Sequence, residues 1–278
     1  MSLSFGACQP EWTDQQVADT ETQLQALAEA GTWFFKAAGD AGPSDCSQHP
    51  VCDAANAGPA MGYPAASPWV TAVGGTQLLG STSAHPDGEA TVWNEHELVP
   101  NNPNGCAAGA GGLSIFPTPA YQADLPGELL LSARGLPDIS ALAGLPGYLN
   151  LSSGGEWFGN GGTSLAAPLY AGAFASIRSM LAAQGLNPPL VLNDALYATA
   201  ADPARYAAAF DDVDVGNNRI YPSVDCCDAG TGYDLASGLG EVRIDVLAGL
   251  LVEAAQPTQP TTPSTVAPAA VVTPTFTG

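Results

Sequence analysis

The stretch Gly161-Gly-Thr-Ser-Leu-Ala-Ala-Pro168 places a hydroxyl where a nucleophile can be presented. Two glycines permit a tight, unusual turn. The apolar run from Leu165 to Ala183 reads as a helix with Pro168 in its first turn, where a missing N–H costs nothing. Ser164 then stands at the mouth of a helix, beside backbone N–H groups that can stabilise an oxyanion. The plainer alternative is a Gly-rich turn entering a core helix. A second candidate is Asp40, set between glycines in Ala37-Ala-Gly-Asp-Ala-Gly42. It lies just beyond a predicted parallel strand, where α/β folds build their sites, although Asp beside Gly is also ordinary turn chemistry. A third cluster joins Phe210-Asp-Asp-Val-Asp to Ala229-Gly-Thr-Gly-Tyr-Asp234. Its carboxylates and its glycine-turned carbonyls are oxygen ligands suited to Ca²⁺; a solvated acidic loop is the alternative.

A serine hydroxyl needs a base within hydrogen-bond reach. His49 and His85 each precede a proline and His96 sits between two glutamates. None has the glycine-flanked setting of a subtilisin-type histidine. Gly162-Thr-Ser-Leu-Ala166 lacks the second glycine of Gly-x-Ser-x-Gly, so the nucleophile elbow of α/β-hydrolases is not supported.

The elements that must hold these residues read as β-α-β, the unit of a parallel sheet. Ser2 to Phe5 is a strand, residues 13–30 a helix closed by Gly31, and Thr32 to Ala38 a second strand. Val70 to Val73 makes a third, closed by Gly74-Gly75, and a short strand falls near Thr91 to Trp93. Residues 136–143 form another, and Tyr148 to Trp157 a hairpin ahead of the serine turn. Helices follow at Leu190 to Ala198 and Glu241 to Ala254. The apolar run at 164–183 contains Arg178 and is read as a buried helix, not a membrane span. Residues 256–278 are Pro/Thr-rich, a disordered tail or linker after a domain covering 1–255.

The 278 residues hold 6 Lys plus Arg against 27 Asp plus Glu, a net charge of −21. Nucleic acid and anionic membranes are therefore excluded as partners. With 32 Gly and 24 Pro the chain is rich in loops. Six cysteines permit up to three disulfides, without zinc or redox spacing. Cys46 and Cys52 are suited to closing a short loop, whereas adjacent Cys226 and Cys227 are expected to bond elsewhere. The first residues show no basic and apolar signal segment.

Six segments together resemble the sedolisins, or serine-carboxyl peptidases, of subtilisin-like fold. They are Ser2-Leu-Ser-Phe-Gly; Ala38-Gly-Asp-Ala-Gly; Tyr63-Pro-Ala-Ala-Ser-Pro-Trp-Val-Thr-Ala-Val-Gly-Gly-Thr; Leu136-Pro-Asp-Ile-Ser-Ala; Gly162-Thr-Ser-Leu-Ala-Ala-Pro; and Gly230-Thr-Gly-Tyr-Asp-Leu-Ala-Ser-Gly-Leu-Gly. They run in family order across residues 1–240. The resemblance implies an α/β fold with a mostly parallel sheet flanked by helices. It implies acid-acting hydrolysis of protein or peptide substrates, and an extracellular setting. Ser164 matches the nucleophile, and Asp40 the oxyanion-hole aspartate, which must be protonated to donate a hydrogen bond. Asp212 and Asp234 match the calcium-ligating carboxylates, and Val213, Gly230 and Gly232 the carbonyl donors.

The family's base is a glutamate oriented by an aspartate four residues later, on a helix ahead of the first strand read here. No such helix precedes Ser2, and Glu21 and Glu29 lie on the wrong element. The chain thus resembles the C-terminal portion of a peptidase domain, with its N-terminal part, a possible partner segment, missing. It is then expected to be inactive and poorly soluble alone. The other expectation is a non-catalytic binding or cell-surface module that retains the peptidase fold.

Overall fold

The computed structural model describes residues 1–45, 58–79, 89–98, 106–127, 129–144 and 149–256. A seven-stranded sheet forms its middle. In chain order the strands are β1 (Ser2–Leu3), β2 (Phe35–Ala37), β3 (Thr71–Leu79), β4 (Glu89–Val92), β5 (Ile139–Leu142), β6 (Phe210–Asp211) and β7 (Glu241–Val242). They lie in the order β1-β2-β3-β5-β7-β6, with β4 paired to β3. The pairings β1–β2, β2–β3, β3–β5 and β5–β7 are parallel, and those of β4 and β6 antiparallel. The fold is α/β with a mostly parallel sheet, as the sequence predicts.

Helix α1 (Asp14–Glu29) carries the chain from β1 to β2. Its start is set by a capping box, in which Gln16 N–H donates to Thr13 Oγ1 and Thr13 N–H to Gln16 Oε1. Gly31, with φ of +77°, ends it. The long α2 (Thr163–Ala183) lays Ala166, Tyr170, Phe174, Ile177 and Leu181 on the sheet in helical period. Phe174 packs on Phe35 of β2 at 5.1 Å between ring centroids, and Tyr170 donates to Ser140 O of β5. By length and hydropathy α2 is the one described helix fit to cross a bilayer, and here its apolar stripe is core. Helices α3 (Leu192–Ala200), α4 (Pro203–Ala209) and α5 (Ile244–Ala255) complete the described helical cover on this side of the sheet.

Several local expectations are corrected. Gly74 and Gly75 do not close β3, which runs on to Leu79. A Cβ on Gly75 would sit 2.8 Å from the Trp93 ring, so the pair admits close neighbours inside a buried strand. Glu241 and Val242 form a strand, and the last helix starts at Ile244. Pro168 is not in the first turn of α2 but inside the helix, which begins at Thr163. The Tyr148–Trp157 hairpin is found as Leu149–Ser153 against Glu156–Asn160, with Tyr148 outside the described residues. Cys226 and Cys227 bond to each other instead, with Cα atoms 3.0 Å apart. Cys8 and Cys106 are each in a disulfide, and the Cys46 and Cys52 loop lies outside the described residues. So does the tail from 257 onwards.

Candidate active site

Ser164 and Asp40 come together although 123 residues separate Asp40 from Thr163, which links them. Asp40 follows β2, and Ser164 is the second residue of α2. Thr163 donates twice to Asp40 Oδ1, through its N–H at 2.8 Å and its hydroxyl at 2.7 Å, and its Oγ1 accepts from Gly39 N–H at 3.1 Å. Both hydrogens on Oδ1 fix the carboxyl plane and leave Oδ2 as the free oxygen. That oxygen faces Gly162, where an added Cβ would lie 2.6 Å away. Gly162 also has φ of +86°. Conformation and close approach therefore both require glycine at this corner.

Ser164 is tied to the chain just beyond β1. Pro168 has no N–H to offer Ser164 O, the acceptor four residues back. The Ser4 hydroxyl donates to that carbonyl instead, at 3.0 Å. The Ser164 side chain is exposed, and among the described residues its hydroxyl has no hydrogen-bond partner. Its N–H, in the first turn, has no acceptor within the helix. Beside it opens a cleft of about 310 Å³ lined by Ser164, Asp40, Ser4, Lys36 and Asp45 among others. The arrangement can present a hydroxyl and place a backbone N–H and Asp40 Oδ2 near a developing oxyanion.

No histidine or glutamate lines this cleft among the described residues. His96 lines a different cleft, with Arg219 and Tyr221, while His49 and His85 lie outside the described residues. The spacing of a Glu followed four residues later by Asp occurs once in the sequence, at Glu241 and Asp245. It is not the missing base pair. Glu241 sits in β7, where it accepts from the Thr76 hydroxyl, and Asp245 begins α5.

Thr163, Ser4, Lys36 and Asp45 are the site residues that the sequence did not single out. Asp45 is mostly buried, and burial pushes its carboxyl up to about 6, against the opposing pull of Lys36 and with further upward pushes from Asp40 and Glu11. Its folded value is above the unfolded one, so the folded state holds more protons between about pH 4 and 6. Stability should therefore fall by on the order of 3 kcal/mol as pH rises through that window. Asp45→Asn should flatten this slope in denaturant titrations at pH 4 and pH 6.5; an unchanged slope would contradict the assignment.

The second cluster also assembles. Gly232 N–H donates to Asp212 Oδ2 at 2.8 Å, Gly230 N–H to Asp234 Oδ2 at 2.9 Å, and Val213 O accepts from Ser237 Oγ. Asp234 Oδ1 further accepts from the N–H groups of Ala236 and Ser237. Asp212 Oδ1 is buried without a hydrogen-bond partner. Burial raises the Asp212 carboxyl and pushes Asp234 up to about 6. Among the described residues no three acidic, His or Cys side chains converge. A cation here would need backbone carbonyls beside the two carboxylates.

No family model matches the chain. Kumamolisin of Bacillus sp. (strain MN-32) is 32% identical over 262 residues, covering 92% of this chain and 43% of kumamolisin. A solved Pseudomonas sedolisin, described as a serine-carboxyl proteinase complexed with two molecules of pseudo-iodotyrostatin, superposes with a TM-score of 0.74 at 30% identity. That match covers 91% of this chain and 64% of the sedolisin chain. The chain belongs to the sedolisin family. Tripeptidyl-peptidase sed5 of Aspergillus fumigatus is a further relative, 32% identical over 239 residues, covering 79% of this chain and 38% of its own length. The chain spans less than half the length of these curated relatives. Its sheet, flanking helices and serine-bearing α2 are those of a sedolisin-like, and so subtilisin-like, fold.

Proposed function

We propose that this chain is the nucleophile-bearing part of an acid-acting serine peptidase that hydrolyses peptide bonds in proteins or peptides. The observation that carries the proposal is the Asp40–Thr163–Ser164 corner. There an exposed hydroxyl, a helix N-terminus and a held carboxyl converge on one cleft. Ser164 attacks the carbonyl carbon, and the oxygen gains negative charge between the Ser164 N–H and Asp40. Asp40 donates through Oδ2 when protonated, which ties activity to acid. The proton leaving Ser164 goes to a glutamate supplied from outside the 278 residues, since among the described residues the cleft offers none. An extracellular setting suits this chemistry and the net charge of −21.

Asp40→Asn tests the oxyanion role. The amide keeps an acceptor for Thr163 and donates at every pH, so activity in the natural gene product should lose its acid dependence. A profile identical to wild type would contradict the role. A binding module that retains the fold is the second reading, favoured by the absence of a glutamate or histidine around Ser164 among the described residues. An in-frame upstream sequence encoding Glu-x-x-x-Asp on a helix would exclude it.

The orphaned Asp212 oxygen fits a cation, and we assign the second cluster to Ca²⁺. Asp212 and Asp234 would supply carboxylate oxygens, with carbonyls from Val213, Gly230 and Gly232. Gly232, at φ +86°, lies where a Cβ would meet Pro126 O at 2.5 Å. The ion's part would be structural, tying the 212 and 230–234 loops together. A chelator should lower the melting temperature, since an ion at a hundred times its Kd stabilises by about 2.7 kcal/mol. Asp234→Ala should remove the chelator's effect; an unchanged melting curve in the wild-type chain would contradict calcium binding.

A further inference from the structure

The floor of the cleft beside Ser164 holds a lysine that the chemistry above does not use. Lys36 sits on β2, in the middle of a buried strand, and is 4% exposed. Its ammonium has three donors. One is spent on Ala37 O, and no ion pair among the described residues includes it. Gly6 opposite leaves room for it, because a Cβ there would come within 3.1 Å of Lys36 Cε and 3.2 Å of Nζ. A buried cation with unspent donors costs free energy unless an anion or a hydrogen-bond acceptor meets it. The cleft that Lys36 lines is the one bounded by Ser164 and Asp40.

We infer that Lys36 makes this cleft selective for a carboxylate, so that the residue whose carbonyl Ser164 attacks is preferentially Glu or Asp. The inference rests on the peptidase reading for the word substrate, and on the cleft alone for the binding preference. With the carbonyl held between Ser164 and Asp40 Oδ2, the side chain of the same residue is the group nearest the cleft. A Glu or Asp carboxylate there takes the free ammonium hydrogens as charge-assisted bonds. Asp45 is the internal competitor. It lines the same cleft, and Gly39 and Gly62 give its carboxyl space, since a Cβ on either would overlap it. The charged and titratable groups acting on this corner are Asp45 and Asp40 on Lys36, with Glu11 and Tyr221 coupled to Asp45. Protonation of Asp45 below about pH 6 removes the competition.

The test is direct binding to the natural gene product that contains this chain, carrying Ser164→Ala, read by fluorescence anisotropy at pH 5. The probes are two labelled short peptide amides that differ only in a C-terminal Glu or Gln. The Glu peptide should bind about tenfold tighter or more, the discrimination expected of a hydrogen-bonded charge. Adding Lys36→Met should remove the difference by weakening only the Glu peptide. Asp45→Asn, added instead, should carry the preference up to pH 7. Equal affinities for Glu and Gln in the Lys36-containing chain overturn the inference without need of any Lys36 variant that folds. A Glu preference that survives Lys36→Met, or no binding of either peptide, overturns it too. Were Lys36 instead the base for Ser164, Lys36→Met in the natural gene product would abolish turnover of Glu and Gln substrates alike. Because binding is read with the nucleophile removed, Glu selectivity in this assay beside no cleavage by the natural gene product with Ser164 intact would sink the peptidase reading and leave the subsite standing.

Discussion

Arg134→Met should destabilise the fold by about 3–5 kcal/mol, the cost of stripping one partner from a buried ion pair. The Arg134 and Asp138 side chains are both fully buried. Two parallel bonds join them, Nη1 to Oδ1 at 2.9 Å and Nη2 to Oδ2 at 2.8 Å. The guanidinium also donates to the carbonyls of Ala66, Ser67 and Val70. The carboxylate in turn accepts from Ala72 N–H and the Tyr197 hydroxyl. Methionine fills comparable volume but leaves a buried carboxylate and three carbonyls short of donors. Asp138→Asn combined with Arg134→Met should cost less than the sum of the single changes, because the stranded charge is gone. Urea titrations of the four proteins measure this. A loss below about 1 kcal/mol for Arg134→Met would show that water reaches the pair and that it is not a dry cross-link. The network matters to the site as well: it anchors the chain entering β5, and just beyond β5 the Ala143 carbonyl receives Gly162 N–H at 2.8 Å.

The parts of this molecule set by local rules were legible in the sequence. Thr13 and Gln16 announce a helix start, Gly31 its end, and the glycine pair before Ser164 a turn that only glycine can make. Ser164 and Asp40 therefore stand out as candidates from their neighbours in the chain. What stayed hidden depends on contacts across the sheet. Lys36 lies in Trp33-Phe-Phe-Lys-Ala37, where a strand assignment says nothing about which cleft an alternating side chain enters. Arg134 and Asp138 stand four apart without a helix between them, so their spacing carried no signal. Gly74-Gly75 reads as a strand end in the sequence because the reason for the pair, Trp93 packed against Gly75, arrives from 18 residues on. Thr163 was masked by the serine beside it, although it is Thr163 that holds Asp40.

Ser164→Ala carries the largest expected effect on activity. Removal of a nucleophile from a serine peptidase leaves only binding and oxyanion stabilisation, a loss of about 10⁴-fold or more in turnover. The fold should be untouched, because the Ser164 hydroxyl makes no described hydrogen bond and the contact with Ser4 uses the backbone carbonyl. A change in activity with an unchanged melting temperature separates this role from a structural one. Gly162→Ala would show the opposite pattern, losing stability through its positive φ and its approach to Asp40.

The most direct measurement is hydrolysis of a denatured protein near pH 4 by the natural gene product that contains this chain, with Ser164 or Ala at that position, beside the 278-residue chain alone. Cleavage by the natural product, lost on Ser164→Ala and absent from the isolated chain, is the predicted result. Cleavage that survives Ser164→Ala would contradict the nucleophile, and Ser164-dependent cleavage by the isolated chain would contradict a base supplied from outside it.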